Sequence, residues 1–115
     1  MRDLLKALKA LSDETRLRIL NLLMGRECCG FEVMQVLDIS QSRASRNPGT
    51  LYDAGFLKMR RDGLWTLYSI DREGMIGCCP DLIDVVRSNL AGNLNAERDL
   101  TRLQAAERIG PGCCS

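Results

Sequence analysis

The 115-residue chain contains no histidine. Without it there is no imidazole to ligate a metal and no ordinary base for a cysteine nucleophile, so histidine-bearing metal sites and Cys-His catalysis are excluded. An excess of charge of one sign is also missing. Sixteen basic against fifteen acidic residues give a formal net charge of +1, which rules out a uniformly basic nucleic-acid glove and confines any polyanion site to a local patch. Long apolar runs are absent: the stretch from Ile19 to Met24 is interrupted by Asn21 and falls far short of the ~20 residues that a membrane helix needs. No signal-peptide pattern precedes Arg2 and Asp3, so the expected location is the cytoplasm, with no membrane partner. Paired Cys-x-x-Cys spacing and a Gly-rich phosphate loop are missing too, which argues against a zinc ribbon and against an enzyme that handles phosphates. No organic cofactor is expected.

What is present is the composition of one folded domain, 45% apolar and 27% charged. Six cysteines fall in three adjacent pairs: Cys28 with Cys29, Cys78 with Cys79, and Cys113 with Cys114. A full apolar core and the absence of an export signal favour reduced thiols over a disulfide framework.

Leu4, Leu5, Leu8 and Leu11 recur at helical spacing and predict an amphipathic helix over residues 2–11. Ser12 is placed to cap a second helix, with Asp13 and Glu14 as anions in its first turn and an apolar stripe from Leu17 to Met24; Gly25 ends it. Residues 31–37 predict a short third helix. After the turn Asp38-Ile39-Ser40, with Ser40 as N-cap, a fourth runs from about Gln41 to Asp53. That fourth helix is polar and basic, with Ser42, Arg43, Ser45, Arg46, Asn47 and Thr50, which is the chemistry of a helix lying in a DNA major groove.

From Phe56 the period becomes alternating, and Asp62-Gly63 between two strand-like runs predicts a hairpin with a type I′ turn. Lys58, Arg60 and Arg61 lie on this wing, placed for flanking phosphates or the minor groove, and Trp65 and Tyr68 are expected to pack it. Residues 71–79 are a linker. Pro80 suits the first turn of a long last helix that carries Leu82 through Leu103 to about residue 108, with Gly92 as a bend. Residues 109–115 are a flexible tail bearing the last cysteine pair. The expected order is α-α-α-α-β-β-α, a mainly helical winged helix-turn-helix domain over residues 1–108. Arg16 and Arg18 are expected to be surface or ion-pair residues.

Three motifs in order carry a family resemblance. The run Leu8-Lys9-Ala10-Leu11-Ser12-Asp13-Glu14-Thr15-Arg16-Leu17-Arg18-Ile19-Leu20 resembles the opening of the ArsR/SmtB repressors. Gln41-Ser42-Arg43-Ala44-Ser45-Arg46 looks like the start of their recognition helix, and Leu51 to Leu57 with Arg61 to Ser69 is similar to their turn and wing. The resemblance implies a homodimer, joined through the first and last helices, that sits on double-stranded operator DNA at an inverted repeat. It further implies repression of a metal or metalloid resistance operon, relieved when the ion binds. The chain departs from the family pattern at Asn47-Pro48-Gly49, where proline inside a helix costs ~3 kcal/mol and predicts a kink or a stop near Asn47. It departs also at Glu27-Cys28-Cys29-Gly30, where only Cys29 matches a cysteine of the family's inducer motif.

Soft thiolates select soft ions, and three of them in a pyramid suit As(III) or Sb(III) as inducer; Cd(II) and Pb(II) are thiophilic alternatives. Adjacent cysteines chelate most easily in a loop or at a helix end, and all six, Cys28, Cys29, Cys78, Cys79, Cys113 and Cys114, are expected in such places. A third ligand must come from elsewhere, for instance the other subunit. An organoarsenical belongs to the same inducer reading, and a thiol switch that senses oxidants or reactive sulfur by joining two pairs, such as Cys28 to Cys79, is the competing one. Ser42, Arg43, Ser45 and Arg46 are the expected groove and phosphate contacts, with Asn47 placed to read adenine.

Overall fold

Helix α1 (Arg2–Leu11) forms where the leucine spacing predicts it, and helix α2 (Glu14–Gly25) follows after two residues. The cap differs from expectation. Asp13 rather than Ser12 is the N-cap of α2, its carboxylate accepting from the Arg16 backbone N–H at 3.0 Å, while the Ser12 hydroxyl donates to Leu8 O at 2.8 Å. The structure, a computed structural model, describes residues 1–106. Cys113, Cys114 and the expected tail therefore lie outside the described residues.

A short strand β1 (Cys28–Cys29) comes next, then helix α3 (Gly30–Leu37) and helix α4 (Gln41–Asp53). Ser40 caps α4 as expected, accepting from Arg43 N. The wing consists of β2 (Leu57–Asp62) and β3 (Trp65–Ile70). β3 is central in a three-stranded antiparallel sheet of order β1-β3-β2, so the wing is broader than the expected hairpin. The turn is also shifted by one residue. Asp62 pairs with Trp65, which leaves Gly63 and Leu64 at the centre; Gly63 has φ +64° and Leu64 does not share the positive φ, the pattern of a type II′ turn rather than I′.

The expected long last helix is two helices, α5 (Cys79–Leu90) and α6 (Leu94–Ala105). Gly92 at φ +78° turns the chain and Asn93 caps α6, its side chain accepting from Ala96 N at 3.0 Å. The reversal lays α6 against α2. Asp99, 1% exposed, takes a bidentate pair of 2.8 Å bonds from Arg18, and Asn21 donates to Ala96 O at 3.0 Å. Arg18 is thus an ion-pair residue, and its guanidinium is held above its ordinary pKa by the Asp99 hydrogen bond.

Pro48 does not stop α4. The helix continues to Asp53 with the Pro48 ring fully buried beside Ala44, Asn47 and Leu51 on its inner face. Tertiary burial of that face overrides the lost donor, and side-chain bonds from Asn47 to Arg43 O and from Thr50 to Arg46 O hold the turns on either side. The main core gathers Ile19, Leu20 and Leu22 of α2, Val33 and Val36 of α3, Leu51 of α4, and Phe56.

Candidate functional site

Burial of Ala44, Asn47, Pro48 and Leu51 follows helical spacing, so the opposite face of α4 is presented to solvent. Ser42, Arg43, Ser45 and Arg46 are all exposed there. Arg43 is steadied by a 2.9 Å bond from Nη2 to the Thr15 hydroxyl. Two residues expected on the same face are not available in this way. Asn47 is only 7% exposed and turned inward, its Oδ1 accepting from Arg16 Nη1 at 3.1 Å and its Nδ2 donating to Arg43 O at 3.0 Å. Its expected role as an adenine reader is corrected accordingly: both halves of the amide are already engaged. Thr50 is half-buried and its hydroxyl donates to Arg46 O at 3.1 Å, so it braces the helix.

Arg16, expected as a surface or ion-pair residue, joins three helices through hydrogen bonds. Its Nε donates to Ala10 O at 2.6 Å and its Nη2 to Lys9 O at 3.1 Å, satisfying the last carbonyls of α1, while Nη1 holds Asn47 of α4. Only Ser12 and Asp13 separate the first two helices, so an arginine in the first turn of the second has the end of the first within reach. That spacing is the signal by which sequence reasoning would find it.

On the wing, Lys58, Arg60 and Arg61 are exposed. Arg60 is nonetheless engaged, donating through Nε to Glu27 at 3.0 Å and forming a second, shorter contact through Nη2. That hydrogen bond raises the Arg60 pKa further above its already high value. Glu27 precedes β1, which the sequence does not announce as a strand, so nothing in the pattern signals this pairing.

The cysteine pairs behave differently from one another. Cys28 and Cys29 are both fully buried and lie in a strand rather than a loop, paired with Tyr68 and Leu67. Successive strand residues face opposite sides. Cys28 accordingly joins the main core, donating its thiol to Arg26 O at 3.6 Å, while Cys29 joins Leu67, Phe31 and Trp65 on the other side. Cys29 also caps α3: its side chain accepts from the Glu32 backbone, and Glu32 Oε1 accepts from Cys29 N at 2.9 Å. The buried Glu32 carboxylate completes its shell with Arg26 Nη2 at 2.6 Å. The expectation that these two thiols can chelate one ion together is corrected for this conformation, because the strand points them apart.

Cys78 and Cys79 stand at the start of α5, as expected, Cys78 as N-cap and Cys79 within the first turn beside Pro80. Both line one cavity of about 480 Å³ between α1, the end of α4 and the linker 71–78, with Asp3, Tyr52, Leu57 and Ile76 among its walls. Cys79 Sγ donates to Ala54 O, the C-cap carbonyl of α4, at 3.5 Å. Gly55 packs beside that sulfur, and its φ of +96° is a backbone conformation that favours glycine. Burial pushes the Cys79 thiol pKa up, and the hydrogen-bonded Cys78 sulfur and Asp3 add to the effect. Among the described residues no group of three His, Cys, Asp or Glu side chains is placed to hold a metal ion, and no helix is long and apolar enough to cross a membrane.

The family model of the bacterial regulatory protein arsR family matches residues 13–58, from the N-cap of α2 into the first residues of the wing. The chain is 33% identical over 95 residues to a "Probable mercury resistance operon repressor" of Streptomyces lividans, covering 83% of this chain and 73% of that protein. It is 40% identical over 67 residues to the arsenic resistance transcriptional regulator ArsR1 of Pseudomonas putida, covering 56% of this chain and 52% of that one. The chain spans little more than half the length of the first curated relatives it matches, 52–60%. Among solved structures it is similar to the homodimeric winged helix-turn-helix DNA-binding domain of Mb0332 from Mycobacterium bovis, with TM-score 0.66 and 26% identity over 81% of this chain and 82% of that one. With the winged-helix fold and these relatives on the page, the chain belongs to the arsR family of bacterial regulatory proteins.

Proposed function

We propose that the chain acts in the cytoplasm as a homodimeric repressor of a metalloid resistance operon. It binds an inverted repeat in double-stranded operator DNA and leaves it when As(III), Sb(III) or a trivalent organoarsenical is taken up by cysteine thiolates. The observation that carries this reading is the outward face of α4, where Ser42, Arg43, Ser45 and Arg46 are exposed together over a rigid inner face, flanked by Lys58 and Arg61 on the wing. Serine hydroxyls and guanidinium forks on one helix suit base edges and phosphates, and a basic wing suits the adjacent backbone.

Dimerisation follows the Mb0332 homodimer and the apolar surface this chain leaves open. Leu4, Leu5 and Leu8 of α1 are 40–48% exposed and Val85 of α5 is 55% exposed. α6 packs on α2, so α5, the first part of the expected last helix, is the second helix proposed for the interface. The inducer class rests on the relatives named for arsenic and mercury resistance and on a donor set of soft thiols without histidine.

The test is fluorescence anisotropy of the reduced full-length protein on the inverted repeat of its own promoter, titrated with arsenite, antimonite, Cd(II), Zn(II) and an oxidant. Release by the trivalent metalloids and not by zinc supports the proposal. Failure to bind the duplex, or release by oxidant alone, overturns it.

A further inference from the structure

The exposed basic helix has a weak point in its middle. Ser42, Arg43, Ser45 and Arg46 all lie in the first half of α4, ahead of Pro48 and Gly49, the two residue types least suited to a helix interior. Pro48 has no N–H to donate to the Ala44 carbonyl one turn back, so the backbone ladder is interrupted where the two halves meet. A Cβ at Gly49 would meet nothing within 4 Å, so packing does not call for glycine there. The first half of α4 is held instead by bonds to other helices.

Arg16 stands at the centre of those bonds. It lies in the first turn of α2, where a cation meets the positive end of its own helix dipole, so α2 gains nothing from the charge. The guanidinium spans two other helices. Nε and Nη2 donate to Ala10 O and Lys9 O in the last turn of α1, at 2.6 and 3.1 Å, and Nη1 donates to Asn47 Oδ1 at 3.1 Å. Asn47, the last residue before the proline, passes the constraint on by donating to Arg43 O at 3.0 Å, and Thr15 accepts from Arg43 Nη2 at 2.9 Å. α1 packs on both α2 and α4, with Ala7 and Ala10 buried and Leu4, Leu5 and Leu8 turned outward.

We propose that Arg16 is a positioning residue: through Asn47 it fixes the DNA-facing half of α4 to α1, and so sets the spacing of the two reading helices in the dimer. This rests on the repressor reading above and adds the residue that decides which half-site spacing is accepted. Arg16 acts through Asn47, without touching DNA. A dimer reads two half-sites at a distance fixed by its own geometry, so a loosened reading helix tolerates a wrong spacing while the attraction to phosphates stays intact.

The experiment uses the reduced full-length chain and three duplexes: the inverted repeat of its own promoter, the same repeat with one base pair inserted between the half-sites, and a scrambled sequence. Arg16→Lys keeps a charge at the end of α1, but one ammonium cannot bridge α1 and Asn47 as the planar fork does. Affinity for the repeat is expected to fall by about 10-fold, the scale of one mismatched base pair, and the preference over the inserted duplex to narrow. Binding to the scrambled duplex and its salt slope are expected to stay unchanged. Asn47→Ala is expected to behave alike, with no further loss in the double variant. A loss shared by the scrambled duplex with a shallower salt slope makes Arg16 a phosphate contact and overturns the proposal; so do additive losses or an intact spacing preference. Hydrogen exchange read by mass is the second measurement, and it serves where Asn47→Ala misfolds. In Arg16→Lys the amides of residues 41–47 are expected to exchange about 10-fold faster while those of residues 50–53 hold, whereas uniformly faster exchange is a plain loss of stability and overturns the link. A wild-type chain that does not prefer the repeat overturns the repressor reading, and the exchange pattern then decides the link by itself.

Discussion

Asp99→Ala tests the fold-back of α6, the feature that most separates this architecture from one with a continuous last helix. Asp99 is almost wholly enclosed, its side chain 2% exposed, and it accepts two 2.8 Å bonds from Arg18, whose side chain is 30% exposed. A hydrogen bond to a charged group contributes ~1.5–3 kcal/mol, and removing one member of a buried pair costs ~3–5 kcal/mol because the other charge is stranded. Arg18 keeps some water, which recovers part of that loss, so the expected cost is ~2–3 kcal/mol. For a domain of this size each kcal/mol moves the melting temperature by about 4 °C, giving a drop of ~8–12 °C. The assay is urea unfolding followed by circular dichroism at one protein concentration, since association adds to apparent stability. Arg18→Met is expected to cost a comparable amount, and the double variant Arg18→Met/Asp99→Ala to cost much less than the sum of the two, because no charge is left stranded. A loss below ~0.5 kcal/mol for Asp99→Ala, or strict additivity in the double variant, would refute the coupling.

Asn47→Ala removes one bond to a guanidinium and one to a backbone carbonyl, so it is expected to lower stability by ~1–3 kcal/mol in the same urea assay, with no preference for loss at adenine-containing positions of the operator. Glu27→Gln frees Arg60 from a charged partner; operator affinity is expected to rise, and the slope of log K against log salt to steepen by about one, in anisotropy titrations across salt. An unchanged slope would show that Arg60 stays clear of phosphate. The Cys79 thiol, raised by burial, favours the protonated folded state. Its contribution to stability is complete below the ordinary thiol range near ~8.5 and falls as pH rises from there through the raised folded-state value. Alkylation of Cys79 in a chain carrying it as the sole cysteine is accordingly expected to show a midpoint above that range in the folded protein and within it in urea.

Local chemistry was legible wherever it acts over a few residues. The leucine period of α1, Ser40 at the head of α4, Pro80 in the first turn of α5 and the change from period 3.6 to period 2 after Gly55 all act through neighbouring backbone groups, and each element stands where its pattern points. Pro48 and Gly92 mark the limit. The proline carries a local penalty and still lies in a helix, because its ring is buried among Ala44, Asn47 and Leu51. The glycine, expected to bend one helix, separates two, because Asp99 has a partner on α2 that is 81 residues away in the chain.

The site divides along the same line. Which face of α4 is polar, and that six soft thiols stand in a chain without histidine, are properties of composition and spacing. Which thiols share a direction is not. Cys28 and Cys29 read as a loop pair until β3 supplies a partner strand and turns them to opposite sides, while Cys78 and Cys79, at the head of α5, line one cavity with the end of α4. Asn47 and Arg60 look equally open in the sequence, yet Arg16 claims one and Glu27 the other. The sequence by itself determined the family, the order of the main elements and the kinds of ligand atom. Strand pairing, helix reversal and charge partners were decided only by the tertiary structure, since they depend on groups distant in the chain whose direction no local pattern records.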